Sequence, residues 1–389
     1  MDLPRLIRSP LPQLACLFAA SRLALLAVGL LSTWLLPSGL AVQRGNLVWH
    51  EPAPRALEIW ARWDSEWYLL IAERGYDVGS FLSSFAVAYE PSAAAGFLPL
   101  YPILIRVLAP LLGGVGAGVL ISNLALFASL LLLHRLMRLE ISGEQGEIAA
   151  TASCAALLVF PSSLFLSAVY AESLFLALSL GVFLAARRGR FAAAGALGAL
   201  AALTRPFGLL LVVPMLWEWW VRYRRREAGP WSALWALLIP AGLGAFMLYC
   251  RSLFGDPLAL IHRQQRWRGG LSGPWQAFVR WWEAGPTAHG SHGSTFELAV
   301  AVLCLAGLLV MARRLRPSYT LYTAAAMALA LGSTLWSFSR LALTLFPFFM
   351  LIGGSWAEGR RCGPIVYAFL GLTTSGLLMA LFANWWWVG

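Results

Sequence analysis

Charged residues are scarce in this 389-residue sequence, and lysine is absent from it. Only 12% of the residues are charged, whereas 59% are hydrophobic, and the mean hydropathy is +0.70. A water-soluble fold needs more polar surface than this to cover its core, so the composition excludes that class. The lack of lysine also excludes phosphate-loop nucleotidases and enzymes that form a lysine Schiff base.

Cysteine and metal-binding motifs are sparse as well. The cysteines are far apart and mostly lie in apolar runs, which predicts small core residues rather than disulfides or metal ligands. His289 and His292 lie in a glycine-rich stretch without an identifiable carboxylate partner, so a loop is favoured over a metal site. We therefore predict no metal and no cofactor. The cysteines are Cys16, Cys154, Cys250, Cys304 and Cys362.

The 29 basic residues are all arginine and give a formal net charge of +11. Such a charge can indicate nucleic-acid binding, but a membrane protein also collects arginine in its cytoplasmic loops. We adopt the second interpretation, because the arginines form clusters separated by apolar runs, and we predict no nucleic-acid partner. The clusters are Arg5/Arg8, Arg135/Arg138, Arg187/Arg188/Arg190, Arg222/Arg224/Arg225/Arg226, Arg313/Arg314/Arg316 and Arg360/Arg361.

The apolar runs predict an all-α polytopic membrane protein with about eleven transmembrane helices in a single domain, residues 1–389. Neighbouring arginine clusters are separated by an even number of runs, which places every cluster, and the N-terminus, in the cytoplasm. The first run is too long for a signal-peptide core and predicts an uncleaved span. The predicted spans are 14–36, 116–134, 148–160, 164–186, 191–204, 207–221, 231–253, 297–312, 318–336, 341–357 and 364–384.

Two segments on the other side of the membrane, residues 37–115 and 254–296, are too long to be simple connections. Within the first, residues 57–76 have helical spacing and predict an amphipathic helix that ends near Gly75 and lies on the membrane surface. Residues 96–112 predict a re-entrant or juxtamembrane piece, and residues 113–118 a loop. The tryptophans at 385–387 predict an interfacial anchor.

The first outer segment holds the most informative group of side chains. Asp64 and Glu66 are two carboxylates between Trp63, Trp67 and Tyr68. A partly desolvated carboxylate can act as a general base, and aromatic rings can stack on sugars. The alternative is a solvated acidic pair on an amphipathic helix. We take Asp64 as the candidate catalytic residue and the other four as candidate substrate-binding residues.

Three ionisable residues fall within predicted spans. Glu172, Arg205 and Arg340 lie at the same outer level on different helices, so they are candidate partners for one another. A buried ion group of this kind either binds substrate or only fixes the packing of the helices. Arg22, in the first span, is expected to snorkel or to pair structurally.

The second outer segment carries a cationic group beside an aromatic residue. Guanidinium groups are preferred ligands of phosphate oxygens, so this group predicts a site for a phosphate. The alternative is a basic patch that binds anionic lipid headgroups. The residues that we assign to it are His262, Arg263, Gln264, Arg266, Trp267 and Arg268.

At these residues the sequence resembles the PIG-V family of mannosyltransferases. The matching segments occur in family order over most of the chain, and the first of them, with Trp63-Asp64, is the most specific. They are residues 62–76, 97–102 (which include Tyr101), 167–175, 203–208, 256–267 and 338–340.

The resemblance implies a GT-C fold with its site on the extracytoplasmic face, a polyprenyl-phosphate sugar donor and a lipid or glycan acceptor. It makes Asp64 the base of an inverting single displacement, in which arginines hold the leaving lipid phosphate. Eukaryotic members tend to carry a polar residue and asparagine where this chain has Pro206-Phe207, a difference that bears on acceptor recognition. The lysine-free composition suggests a bacterial source, and hence the plasma membrane.

Two other classes of function fit parts of the pattern. A transporter of lipids or lipid-linked sugars, or flippase, would carry broken helices and charged groups near the midplane in two matching halves, and the sequence has neither feature. A noncatalytic scaffold would bind a partner through the outer segments and would not need Asp64.

Overall fold

The computed structural model describes residues 10–39, 52–82, 90–359 and 362–389. These residues form α-helices and short 3₁₀ helices without a β-sheet, so the all-α prediction is confirmed. The α-helices are α1 (Leu11–Leu35), α2 (Arg55–Glu58), α3 (Asp64–Arg74), α4 (Gly79–Leu82), α5 (Leu100–Glu140), α6 (Gly143–Leu158), α7 (Glu172–Arg187), α8 (Phe191–Ala202), α9 (Val212–Arg224), α10 (Leu238–Phe254), α11 (Ala259–Arg268), α12 (Gln276–Ala284), α13 (Thr295–Arg314), α14 (Pro317–Leu331), α15 (Phe338–Thr344), α16 (Pro347–Ala357) and α17 (Cys362–Ala383). The 3₁₀ helices are Pro91–Gly96, Ser163–Leu166, Pro206–Leu211 and Pro230–Leu237.

Among the described residues, five helical stretches are long and apolar enough to cross a membrane. They are α1, α5, the Pro230–Phe254 stretch that ends with α10, α13 and α17, and a sixth is added if the bent pair α15 and α16 forms one span. Several of these helices turn large apolar side chains outward, such as Leu31 at 63% exposed and Phe369 at 68%. Lipid can cover such a surface whereas water cannot, and the chain is an integral membrane protein.

Ion pairs gather the arginine clusters of the middle of the chain at one end of the bundle. Arg187 pairs with Glu140 at the end of α5 and donates to Tyr319 at the start of α14. Glu218 accepts from Ser318 at 2.6 Å and from Arg316 at 3.4 Å. These contacts bring the arginine clusters in the middle of the chain together, whereas an even number of membrane crossings between them stays a prediction. The clusters Arg5/Arg8 and Arg360/Arg361 lie outside the described residues.

The predicted surface helix over residues 57–76 is wrong in two respects. The chain forms α2 and α3 with a break between them, and all the residues from Ser65 to Ala72 are buried. The helix ends at Gly75 as predicted, with φ +80°, a conformation that favours glycine. Its apolar residues pack against α5, and this packing explains why α3 lies inside the protein rather than on a membrane surface.

The predicted division between residues 96–112 and a span at 116–134 is also different in the structure. One helix, α5, continues from Leu100 to Glu140, and only Gly113 within it leaves helical geometry, with φ 69° and ψ 161°. The loop predicted at residues 113–118 is therefore wrong, because only Gly113 departs from the helix and residues 114–118 belong to it. Gly118 lies within this helix and packs closely on Val169, where a Cβ would come within 2.6 Å of Cγ1.

Candidate active site

The ends of several helices meet at the end of the bundle opposite to the arginine clusters. Asp64 and Glu172 are the first residues of α3 and α7, and Arg340 lies in the first turn of α15. Arg205 precedes the 3₁₀ helix Pro206–Leu211 in extended geometry. Helix N-termini favour negative charge, so the two carboxylates lie where the backbone stabilises them.

Arg340 connects the two carboxylates. Its Nε and Nη2 donate to Oε1 of Glu172 at 3.0 and 2.8 Å, and its Nη1 donates to Oδ2 of Asp64 at 2.9 Å. Arg205 Nη1 lies 2.5 Å from the same oxygen of Glu172. The partnership of Glu172 with two arginines, which the sequence predicted, is therefore confirmed. A guanidinium suits this task because its donors form a rigid planar fork.

Asp64 is the carboxylate of this group that solvent can reach. Its side chain is 29% exposed, whereas that of Glu172 is fully buried. The phenol of Tyr170 accepts from the backbone N–H of Asp64 at 3.3 Å and donates to the carbonyl of Arg62 at 3.1 Å. The guanidinium of Arg340 lies over the rings of Phe165 and Tyr170, which fix its other side. Asp64 thus has a defined position and an open face.

Two further charged residues belong to the same region: Glu297, which we did not assign from the sequence, and Arg268, which we assigned to the cationic group. Glu297, at the start of α13, is buried and accepts from the backbone N–H and hydroxyl of Ser339, the neighbour of Arg340. Arg268, at the end of α11, donates to the carbonyl of Trp336 at 3.2 Å. Glu297 is an acidic residue at the edge of a predicted span, and this position could have identified it as a candidate site residue from the sequence. Its pairing with Ser339 has no sequence signal.

Several aromatic candidates pack within the protein around α3. Trp67 stacks on Phe97 with ring centroids 5.6 Å apart, and Tyr68 contacts Phe97 and Tyr101 edge to face. The hydroxyl of the fully buried Tyr101 binds Ser122 and the carbonyl of Gly118. These contacts account for the three rings as core residues beneath the site.

Two further candidates of the same segment differ in their exposure. Glu66 is fully buried in α3. Trp63 is partly exposed next to the tryptophans that follow α17, with Trp385 and Trp387 at centroid distances of 6.5 and 5.0 Å. Trp385 is itself buried, and the guanidinium of Arg62 lies 4.7 Å from its ring centroid. The interfacial anchor that the sequence predicted for residues 385–387 is therefore wrong for Trp385, because this ring packs against the protein.

The residues of α11 do not form one cationic group. Arg263 and Arg266 both pair with Glu90, and His262 pairs with Asp256 at 2.8 Å. The hydrogen bond from His262 lowers the pKa of Asp256. The interpretation of His262 to Arg268 as one patch was wrong, since acidic neighbours on the outer segments divide it.

Gln264 and Trp267 hold α11 against the first outer segment. Gln264 donates to the carbonyl of Gly96 at 3.1 Å, and Trp267 meets Phe97 edge to face. These contacts place Arg268 at the end of α11, where it faces the site.

An apolar cavity of about 400 Å³ opens at the other end of α3. Ile71, Tyr76 and Phe246 form part of its wall, with Arg106 as its charged residue. Leu203, two residues before Arg205, also borders it. Within the described parts of the chain no group of three or more histidine, cysteine or acidic residues could hold a metal ion.

Part of this chain matches known proteins. GPI alpha-1,6-mannosyltransferase 2 of Rattus norvegicus is 34% identical over 161 residues, which cover 39% of this chain and 30% of that protein. The protein of the same name from Mus musculus is 33% identical over 159 residues, or 39% of this chain and 29% of its own length. This chain therefore spans less than a third of these curated relatives.

A solved structure and a family description also match. ArnT from Cupriavidus metallidurans bound to undecaprenyl phosphate superposes with a TM-score of 0.49 at 19% identity, over 89% of this chain and 60% of that one. Residues 43–222 match the family described as mannosyltransferase (PIG-V). Over those residues this chain is similar to the PIG-V mannosyltransferases.

Proposed function

We propose that this protein is an inverting membrane glycosyltransferase of the GT-C type that transfers a sugar from a polyprenyl-phosphate donor to a lipid-linked or glycan acceptor. The sugar in this proposal is mannose, because the matching family consists of mannosyltransferases. The observation that carries the proposal is the geometry around Asp64. Its partly exposed carboxylate is held by Arg340, which also binds the buried carboxylate of Glu172. Arg205 binds Glu172 as well. The match of residues 43–222 to the family described as mannosyltransferase (PIG-V) supports the choice of reaction.

The proposed reaction is a single displacement. Asp64 accepts the proton of an acceptor hydroxyl, whose oxygen forms a bond to the anomeric carbon of the donor sugar. The bond from that carbon to the phosphate oxygen breaks, and the lipid phosphate leaves with the electron pair. The configuration at the anomeric carbon is inverted, because the acceptor enters opposite to the leaving phosphate.

Arginine side chains take the role of stabilising the leaving phosphate. A guanidinium has five N–H donors, and Arg205 uses Nη1 for Glu172. The remaining donors of Arg205, together with Arg268, face the developing charge in this proposal. The apolar cavity beside Leu203 takes the first isoprene units of the donor, since its wall is apolar and Arg205 lies two residues further along the chain.

The proposal includes eleven membrane crossings with the site on the extracytoplasmic face. Each of the eleven apolar runs contains a helix, and among the described helices five, or six with the bent pair α15 and α16, are long and apolar enough to cross a membrane on their own. The arginine clusters lie at the end opposite to Asp64, and arginine-rich ends face the cytoplasm. In a bacterium this membrane is the plasma membrane.

The test is a transfer reaction with purified protein in nanodiscs. Polyprenyl-phosphate mannose of defined anomeric configuration is supplied with a lipid extract as the source of acceptor, and the product linkage is determined by NMR of the anomeric proton. We expect mannosylated product with the inverted configuration. Retained configuration would contradict the single displacement, and translocation of the donor without any transfer would identify a transporter instead.

A further inference from the structure

Three tryptophans from separate parts of the chain meet beside Asp64, and we name Trp63, Trp336 and Trp387 the tryptophan corner. Trp387 meets Trp63 with ring centroids 5.0 Å apart and Trp336 with centroids 6.1 Å apart, both at an interplanar angle of 76°. All three side chains are partly exposed. Nearly perpendicular indole rings form adjoining walls, and each of the three side chains keeps part of its surface exposed, although His292 packs against Trp336 at a centroid distance of 4.2 Å.

The tryptophan corner borders the ion-pair group directly. Trp63 immediately precedes Asp64, and Arg268 donates to the carbonyl of Trp336. The indole N–H of Trp336 donates to the carbonyl of Gly389, where a Cβ would come within 2.6 Å of Arg340 Cδ. The segment after α17 therefore connects the corner to the arginine that holds Asp64.

Trp63 carries two marks of a site that the packing alone does not explain. Its backbone has φ 59° and ψ −114°, a conformation that bulky residues rarely adopt and that is concentrated at functional sites. Its indole Nε1 is buried and has no hydrogen-bond partner within the described residues. A buried donor of this kind is normally paired, so it suits an oxygen of a bound molecule.

The corner and the apolar cavity lie at opposite ends of α3. Trp63 precedes the first residue of that helix, whereas Ile71 and Gly75 at its other end line the cavity. At a rise of about 1.5 Å per residue, Ile71 and Gly75 lie about 12 and 18 Å along the helix from Trp63. Because displacement with inversion brings acceptor and leaving group to opposite faces of the sugar, the lipid chain and the acceptor require separate approaches.

We infer that the tryptophan corner binds a sugar ring of the acceptor, so that the acceptor is a glycan or glycolipid and not a simple lipid alcohol. The negative faces of indole rings attract the C–H groups of a sugar ring, and Trp63 Nε1 can donate to one of its hydroxyls. The inference rests on the proposed function for its reaction, but it is a statement about binding that can be measured without turnover.

Saturation-transfer NMR with methyl α-mannoside, methyl α-glucoside and methyl α-galactoside tests this binding on the protein in nanodiscs. We expect saturation to reach the ring protons of at least one of them, and Trp387→Ala to reduce the transfer by about fivefold. Trp387→Phe should keep most of it, since an aromatic face remains. The matched control is Trp386→Ala, because Trp386 is exposed and binds the carbonyl of Pro37 away from the corner.

The outcomes separate the inference from the proposed function. The inference is overturned if none of the three glycosides receives saturation in the wild type, or if Trp387→Ala and Trp386→Ala behave alike with unchanged thermal unfolding. In the transfer reaction, Trp387→Ala should raise KM for the acceptor and leave KM for the donor unchanged; the reverse pattern also overturns it. Glycoside binding without any transfer would leave the inference standing and remove the proposed reaction.

Discussion

Arg340 is the side chain on which the geometry of the site depends most. It contributes three hydrogen bonds to two carboxylates on different helices, and its guanidinium plane lies against two aromatic rings. Buried ion pairs add little net stability when they are complete, but losing one partner leaves an uncompensated charge. The arrangement therefore fixes the position of Asp64 more than it stabilises the fold.

Replacing Arg340 by lysine should show whether the site needs only the positive charge of this residue or also the planar shape of its guanidinium group. An ammonium keeps the charge, but it cannot hold Glu172 and Asp64 together as the fork does. We expect kcat of Arg340→Lys to fall about 100-fold, because small displacements of reacting groups have effects of that size. The measurement is the rate of sugar transfer in nanodiscs. Arg74→Lys is the control, since Arg74 is an exposed arginine at the end of α3. A kcat within twofold of wild type would show that the fork is dispensable.

The helices that carry the site are positioned by contacts at their first turns. Ser337 has φ 62°, and α15 begins directly after it. Glu297 then accepts two hydrogen bonds from Ser339 at 2.5 and 2.9 Å, so α13 holds the turn that carries Arg340. The position of Arg340 relative to Asp64 therefore depends on α13, although the Glu297 carboxylate contacts neither residue.

Removing the Glu297 carboxylate should disturb both stability and activity. In Glu297→Ala the buried N–H of Ser339 loses its partner, which costs about 1–3 kcal/mol. We expect a lower thermal unfolding temperature together with a lower kcat, whereas Glu297→Gln retains an acceptor oxygen and should recover part of both. Thermal unfolding and transfer rates of the two variants, measured side by side, test this link. Unchanged kcat in Glu297→Ala would show that Arg340 is held without α13.

At the scale of the whole molecule, charge is divided between two ends. Arginines with Glu140 and Glu218 occupy one end of the bundle, and the Asp64 group occupies the other. Composition and arginine spacing were sufficient to predict this division, because the orientation of each apolar run in the membrane depends on the charges that flank it in the sequence. The pairing of Glu172 with Arg205 and Arg340 was predictable for the same reason, since ionised groups within spans need partners.

Features that depend on tertiary packing could not be predicted from the sequence. The spacing of residues 57–76 indicated a surface helix because the pattern does not show what packs against its polar side. Glu90 pairs with arginines more than 170 positions away, and this pairing divides the cationic group that the local sequence suggested. Trp336 and Trp387 meet Trp63 only through the fold, so the tryptophan corner has no local signal.

The most direct test of the account is the transfer rate of Asp64→Asn, measured in nanodiscs with saturating polyprenyl-phosphate mannose. The asparagine keeps the size of the side chain but cannot accept the proton, so kcat should fall about 100-fold or more while donor KM changes little. Glu73→Gln, a change to an exposed carboxylate further along α3, should retain the wild-type rate. Turnover of Asp64→Asn within a few fold of wild type would contradict the central claim.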